Sequence, residues 1–204
     1  MVETHEIAEK IHEDGEGVHR SHDTFRKMTA IYVGVAAMLL AIASLGGAEA
    51  TKDMLNANIH AADTYAFYQS KYIRQITYQV SAEQLELLAA GSPGLPPEHL
   101  NKVNQIVAKY RDTAKRYESE PERGDGKKEL LEKAAHYEKA RDHAQEKLPN
   151  FEYAEALFQI AIVLGSVSIV AASPALLGVS GLLSICGLLL TVNGYFLIAH
   201  LPHG

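Results

Sequence analysis

The sequence predicts an all-α integral membrane protein with three transmembrane helices and an extramembrane helical, coiled-coil-like bundle. Three observations carry this. Charged residues stop at Lys27, resume at Glu49 and stop again at Glu155, leaving uncharged runs of 21 residues (28–48) and 44 residues (156–199). Between those runs, glycine and proline fall in two clusters, GSPGLPP and PERGDG, plus Pro149. The remaining apolar residues there recur at steps of three and four, and no alternating strand pattern occurs.

The leader, residues 1–27, is acidic, with 4 Lys+Arg against 7 Asp+Glu. His5, Glu9, His12, Glu16, His19 and Asp23 fall on nearly one helical face, and Glu9–His12 and Glu16–His19 repeat a Glu-x-x-His spacing. Carboxylate-bridged metal sites draw such pairs from several helices of a buried core. Here both pairs lie on one segment interrupted by Gly15 and Gly17, so the leader reads as a solvated, pH-sensitive tail and no metal site is assigned.

Residues 28–48 suit one bilayer crossing, which needs about 20 helical residues. AEA at 48–50 resembles a signal-peptide cleavage site, but a long acidic leader is unlike the short cationic start of a signal; a retained anchor is expected. The 44-residue run would make a helix about 66 Å long, twice the hydrocarbon thickness, so it must fold back. Pro174 marks the break, giving spans at 155–173 and 176–199.

Residues 49–154 form the extramembrane part. With no glycine or proline over 48–90, 98–120 and 127–148, three helices are expected to pack along one seam. The first span can run straight into the first of them, with Gly46 and Gly47 as the expected kink. Pro149 is expected to start the second membrane helix, where its missing N–H costs little.

The stretch ANIHAADTYAFYQSKYIRQ is the most distinctive. At about 100° per residue, Ala61, Tyr65, Tyr68, Tyr72 and Ile76 share one stripe, and His60, Asp63, Phe67, Lys71, Arg74 and Tyr78 lie opposite. The first stripe can bury against the other two helices of the chain, and the second is either available to another protomer or partner or belongs to the intrachain seam and an ordinary solvated charged face. Phe67–Lys71 and Arg74–Tyr78 are spaced for cation–π contacts. Small residues in the spans (Ala43 and Gly47; Ala161 and Gly165; Gly178, Gly181, Ser184 and Gly187) mark expected helix contacts, with Gly181 and Gly187 the sharpest candidates.

Several classes of function find no support. Residues 49–155 carry 15 Lys+Arg against 18 Asp+Glu, which is no footprint for nucleic acid. The single cysteine, Cys186, lies within the third span. No phosphate-binding loop, nucleophile elbow, paired Cys-x-x-Cys or His-Glu-x-x-His occurs, so no enzyme, no cofactor and no catalytic residue is assigned. The expected role is a non-enzymatic, self-associating assembly or scaffold component, in contact with membrane lipid and with a further protein partner open. The alternative is a subunit of an oligomeric channel or small transporter. The absence of charge between 156 and 199 favours the first.

The leader, the single span, ATKDMLNANIHAADTYAFYQSKYIRQ and the closing pair of spans resemble the bacterial membrane family catalogued as domain of unknown function 4337, most specifically over the aromatic core from Tyr65 to Lys71. The resemblance implies a bacterial inner-membrane protein and brings no activity. Arg20, Arg26 and Lys27 precede the first span while Lys52 alone follows closely, which favours a cytoplasmic leader, with the bundle and His203 on the periplasmic side. Arg141 and Lys147 pull the other way.

Overall fold

The computed structural model describes the backbone of residues 3–199 and the side chains of residues 23–199. Among the described residues there are four helices, α1 (Glu3–Ala90), α2 (Pro97–Glu118), α3 (Lys127–Ala171) and α4 (Pro174–Phe196), and no strand. Three of them, α1, α3 and α4, contain stretches long and apolar enough to cross a membrane. The chain is therefore all-α and has the make-up of a multi-pass membrane protein.

The helix ends fall where the sequence chemistry puts them. Gly91 closes α1, its N–H donating to Leu87 C=O at 3.0 Å. Pro97 opens α2 from an extended Pro96, and Lys115 and Arg116 sit in its last turn, where cations complement the helix dipole. In the loop before α3, Gly124 takes the left-handed conformation (φ +64°), and a Cβ on Gly126 would lie 2.7 Å from Ser119 Cα. Glu129 fastens that loop by accepting from Ser119 Oγ (2.5 Å) and Glu120 N–H (3.2 Å). Between α3 and α4, Ala172 is left-handed (φ 47°) and Ser173 N–H reaches back to Ser168 C=O at 3.2 Å. This six-to-one bond is that of a Schellman cap, and it lets Pro174 begin α4 two residues later.

The expected continuity of α1 holds, and the helix start expected at Pro149 does not occur. Helix α1 continues through Gly46 and Gly47, and α3 continues through Pro149. A proline inside a helix leaves the carbonyl four residues back without its partner, at a cost of about 3 kcal/mol. Packing directly beyond Pro149 offsets it: Asn150 and Phe151 are fully buried, and Asn150 Nδ2 donates to Glu146 C=O at 3.2 Å while its Oδ1 accepts from Asn193 Nδ2 at 2.6 Å. The glycines of α1 serve close approach, as the next contacts show.

The chain divides into two compact units, Met1–Lys52 with Ala144–Gly204, and Asp53–His143. In the first unit, α3 buries Phe151, Ala154, Phe158, Ala161, Gly165 and Ser168, and α4 buries Ser180, Ser184, Gly187, Thr191 and Gly194. Both sets advance by three and four. The helices run antiparallel, so each step of seven up α3 meets a step of seven down α4. Phe151 lies against Gly194 and also against Gly46 of α1, Phe158 against Gly187, and Gly165 against Ser180. Ala43, Ala154 and Phe158 complete the core. Because lipid is as apolar as any side chain, such helices are held by fit and by polar contacts, and the phenyl-into-glycine match provides the fit. A hydroxyl chain provides the polar contact: Tyr32 Oη lies 2.8 Å from Ser180 Oγ and 2.7 Å from Ser184 Oγ, and Ser180 Oγ donates to Ala161 C=O at 2.5 Å.

Within the chain, only part of the small-residue strip expected on the third span is packed. Ala43, Ala161, Gly165 and Gly187 are packed, but a Cβ on Gly178 or Gly181 would meet nothing within 4 Å. The contact face of α4 runs through Ser180, Ser184, Gly187, Thr191 and Gly194, and Gly181 lies beside it. Gly187→Leu should overpack against Phe158 and destabilise the protein by about 1–3 kcal/mol, whereas Gly181→Leu should leave the detergent-solubilised thermal midpoint unchanged. Equal midpoints for the two variants would contradict this packing.

Candidate functional site

The second unit, residues 53–143, contains the distinctive stretch of α1, all of α2 and the start of α3. Its seam on α1 is set by Ala57, Ala61, Thr64, Lys71, Gln75 and Ala82, all buried, with Tyr68 and Tyr78 half-buried between them. Ala114 of α2 and Ala134 of α3 are buried as well. Small residues on all three helices bring the backbones close. The larger side chains then cover the seam from its edges.

This seam differs from the tyrosine stripe expected from the helical wheel. Tyr72 is 47% exposed and Ile76 is similarly open, while Lys71, placed on the outer face by the wheel, is only 6% exposed. Its apolar stem suits a narrow alanine seam, and its charge is satisfied twice over. Lys71 Nζ donates to Asp125 Oδ2 at 2.9 Å and lies 5.3 Å from the Phe67 ring centre and 5.2 Å from that of Tyr117. The Phe67–Lys71 contact is the one its spacing predicts. Tyr78 instead meets Tyr110 edge-on and stacks on Tyr117. Tyr65, half-buried, donates to Glu138 Oε1 at 3.1 Å, and that carboxylate raises its pKa. Phe67 and Arg74 are exposed.

Gln75 joins the three helices. Its Nε2 donates to Ala114 C=O at 3.1 Å and to Glu118 Oε2 at 3.0 Å, both on α2. Its Oε1 accepts from Lys127 Nζ of α3 at 2.6 Å. Lys127 also pairs with Glu118 at 2.9 Å and lies 5.0 Å from the centre of the Tyr72 ring. A buried amide with every polar atom engaged is strongly bound to its position, since losing one partner strands the other. The sequence reading passed over Gln75; its place midway between Lys71 and Tyr78, on the three–four step from Ala61, is the signal that identifies it.

The opposite face of α1 is apolar and open. Ile59, Ala66, Ile73, Val80 and Leu87 recur every seven residues, all exposed, Ile73 by 64% and Leu87 by 73%. Leu55, Ala62 and Ile76 flank them on the adjoining seven-residue position. In the first unit the same position of α1 carries Ile31, Met38 and Leu45, also exposed, where lipid is the natural neighbour. Residues 53–143 have no such run of uncharged sequence, so there the strip is a surface in want of a partner.

Among the described residues, no three His, Cys, Asp or Glu side chains converge as a metal site. His5, Glu9, His12, Glu16 and His19 of the leader, and His203, lie outside the residues whose side chains are described. The sequence profile of the family described as Domain of unknown function (DUF4337) matches residues 25–197. No curated protein and no solved structure matches the chain.

Two outcomes follow from the Gln75 junction. Gln75→Leu, which strands Lys127 and the Ala114 carbonyl, should cost about 1–3 kcal/mol and exceed Tyr72→Ala in a denaturation experiment; the reverse order would restore the tyrosine stripe as the seam. The second concerns acid. Hydrogen bonds from Lys127 and then Gln75 hold the Glu118 carboxyl below its usual range, and Lys71 does the same for Asp125. A carboxylate with a depressed folded-state pKa contributes stability above its unfolded value, about 4, and loses it as pH falls through the folded value. Thermal midpoints should be flat from about pH 7 to 5 and fall below about pH 4, with a shallower fall in Glu118→Gln; an unaltered slope in that variant would remove Glu118 from the account.

Proposed function

The chain belongs to the family described as Domain of unknown function (DUF4337), and we propose that it is a non-enzymatic, membrane-anchored scaffold whose copies associate in parallel through the exposed strip of α1. The observation that carries this reading is the seven-residue recurrence of Ile59, Ala66, Ile73, Val80 and Leu87 on the open face of residues 53–143. A strip with that period stays in contact with a partner helix of the same period over its whole length, about 42 Å here.

A second copy is the occupant that the anchoring favours. Two copies inserted in one membrane with the same topology present α1 in the same direction and at the same height, so each strip residue meets its own counterpart. Isoleucine and valine take three of the five places at the repeating position, and the adjoining one carries Leu55, Ala62, Gln69, Ile76 and Glu83, so the strip is apolar along one line and mixed along the next. Three crossings would put the leader and residues 53–143 on opposite sides, with the leader cytoplasmic and the membrane that of a bacterial cell. The channel reading has less support: the spans carry no charged side chain between 156 and 199, and the centre of the first unit is filled by Phe151 and Phe158.

Cross-linking in native membranes tests the strip. With Cys186 replaced by serine, Ile73→Cys should form a disulfide-linked dimer on mild oxidation, and Glu132→Cys, exposed on α3, should not. Ile73→Lys with Val80→Lys should reduce the detergent-solubilised mass to that of one chain. If Ile73→Cys dimerises no better than Glu132→Cys, α1 is not the association surface.

A further inference from the structure

We propose that the unit formed by residues 53–143 binds a small phosphate dianion, free or as the phosphoryl group of a small phosphomonoester, in a cavity between α1, α2 and the loop that leads into α3. The cavity has a volume of about 230 Å³, or seven to eight waters at ~30 Å³ each. That admits phosphate with a short organic substituent. This inference does not depend on self-association, because none of the cavity's residues belongs to the exposed strip of α1.

The cavity is lined by four cations contributed by three elements: Lys71 and Arg74 from α1, Arg116 from α2 and Arg123 from the loop. Lys71 is buried and fixed in place by Asp125 at 2.9 Å. Arg116 is paired with Glu120, also at 2.9 Å. Arg74 and Arg123 have no carboxylate within ion-pair distance among the described residues, although both belong to a protein with more acidic than basic side chains. Against the four cations stand two carboxylates, Glu120 and Asp125, which leaves two positive charges for a ligand to neutralise. Tyr117 also lines the cavity, and its hydroxyl, which has no hydrogen-bond partner among the described residues, is a further donor.

The chemistry of the wall selects the ligand class. Guanidinium groups present planar forks of donors that match phosphate oxygens in pairs, and they remain charged at every physiological pH. Arg74 and Arg123 line one cavity from different elements, with Lys71 also on its wall, so an anion with several oxygens can engage both arginines at once. A bound dianion would join α1, α2 and the loop through one centre, and it would stabilise the folded unit by binding it alone. The second ionisation of a phosphomonoester lies near pH 6, so affinity should fall as pH drops below that value while the wall keeps its charge.

Calorimetric titration of the detergent-solubilised full chain at constant ionic strength tests the proposal, with inorganic phosphate, glycerol phosphate and succinate as separate probes. Saturable binding of phosphate or glycerol phosphate is expected with Kd about 1 mM or tighter. It should be at least tenfold weaker in Arg74→Ala/Arg123→Ala, unchanged in the charge-matched Lys109→Ala/Lys139→Ala, and weaker at pH 5 than at pH 7.5. The tighter of the two phosphate probes identifies the source. Absence of saturable binding by both, equal binding by succinate, or full affinity in the double arginine variant with an unaltered thermal midpoint would each overturn it.

Discussion

One constraint organises α1: a residue that must fit a narrow gap recurs every seventh position. Thr29, Ala36, Ala43, Ala50, Ala57, Thr64 and Lys71 form that line, and all are buried. Four of the seven are alanine and two are threonine, so the neighbouring helices can come close, and what fills the remaining space must be supplied from elsewhere. In the first unit α3 supplies Phe151 and Phe158, which enter where Gly46, Gly187 and Gly194 leave room. In the second unit the space is filled from α1 itself by a lysine stem and a glutamine amide, with tyrosine rings closing the edges.

The two units thus solve one geometric problem with different chemistry, and the solvent explains the difference. Within a bilayer, charge is costly and apolar contact gives no net transfer free energy, so fit and short hydroxyl bonds are what remain. Tyr32, Ser180, Ser184 and the Ala161 carbonyl are joined in that way. Away from lipid, ion pairs with a partly wet carboxylate are tolerable, and Lys71–Asp125 and Lys127–Glu118 each combine one buried ammonium with a carboxylate that keeps some water.

Much of the architecture was legible because it depends on coarse quantities. Lengths of uncharged sequence marked the candidate membrane spans, and the two clusters of glycine and proline marked the turns around α2. The seam was harder. A wheel drawn at 100° per residue drifts by about 20° each heptad from a seven-residue line, and the eye is drawn to tyrosines. Both effects displaced the stripe to Tyr65, Tyr72 and Ile76 and put Lys71 outside. Pro149 misled for a related reason: a proline has a strong local preference to start a helix, but its context is the buried ring of Phe151 and the paired amides of Asn150 and Asn193, which a single helix's sequence does not display. Gly181 resembles Gly187 in composition and spacing, and only the position of Phe158 separates them.

The matched steps of seven on α3 and α4 have a consequence for how such a chain can change in length. Deleting or inserting one residue between Phe151 and Phe158 would turn one ring by about 100° relative to the other, and only one of them could still meet its glycine on α4. Seven residues would restore the line to within about 20°, but the facing stretch between Gly187 and Gly194 would have to change by seven as well. Insertions and deletions among relatives should therefore gather in the leader and in the loops around α2, and the facing segments of α3 and α4 should keep a fixed length or alter it together by whole heptads.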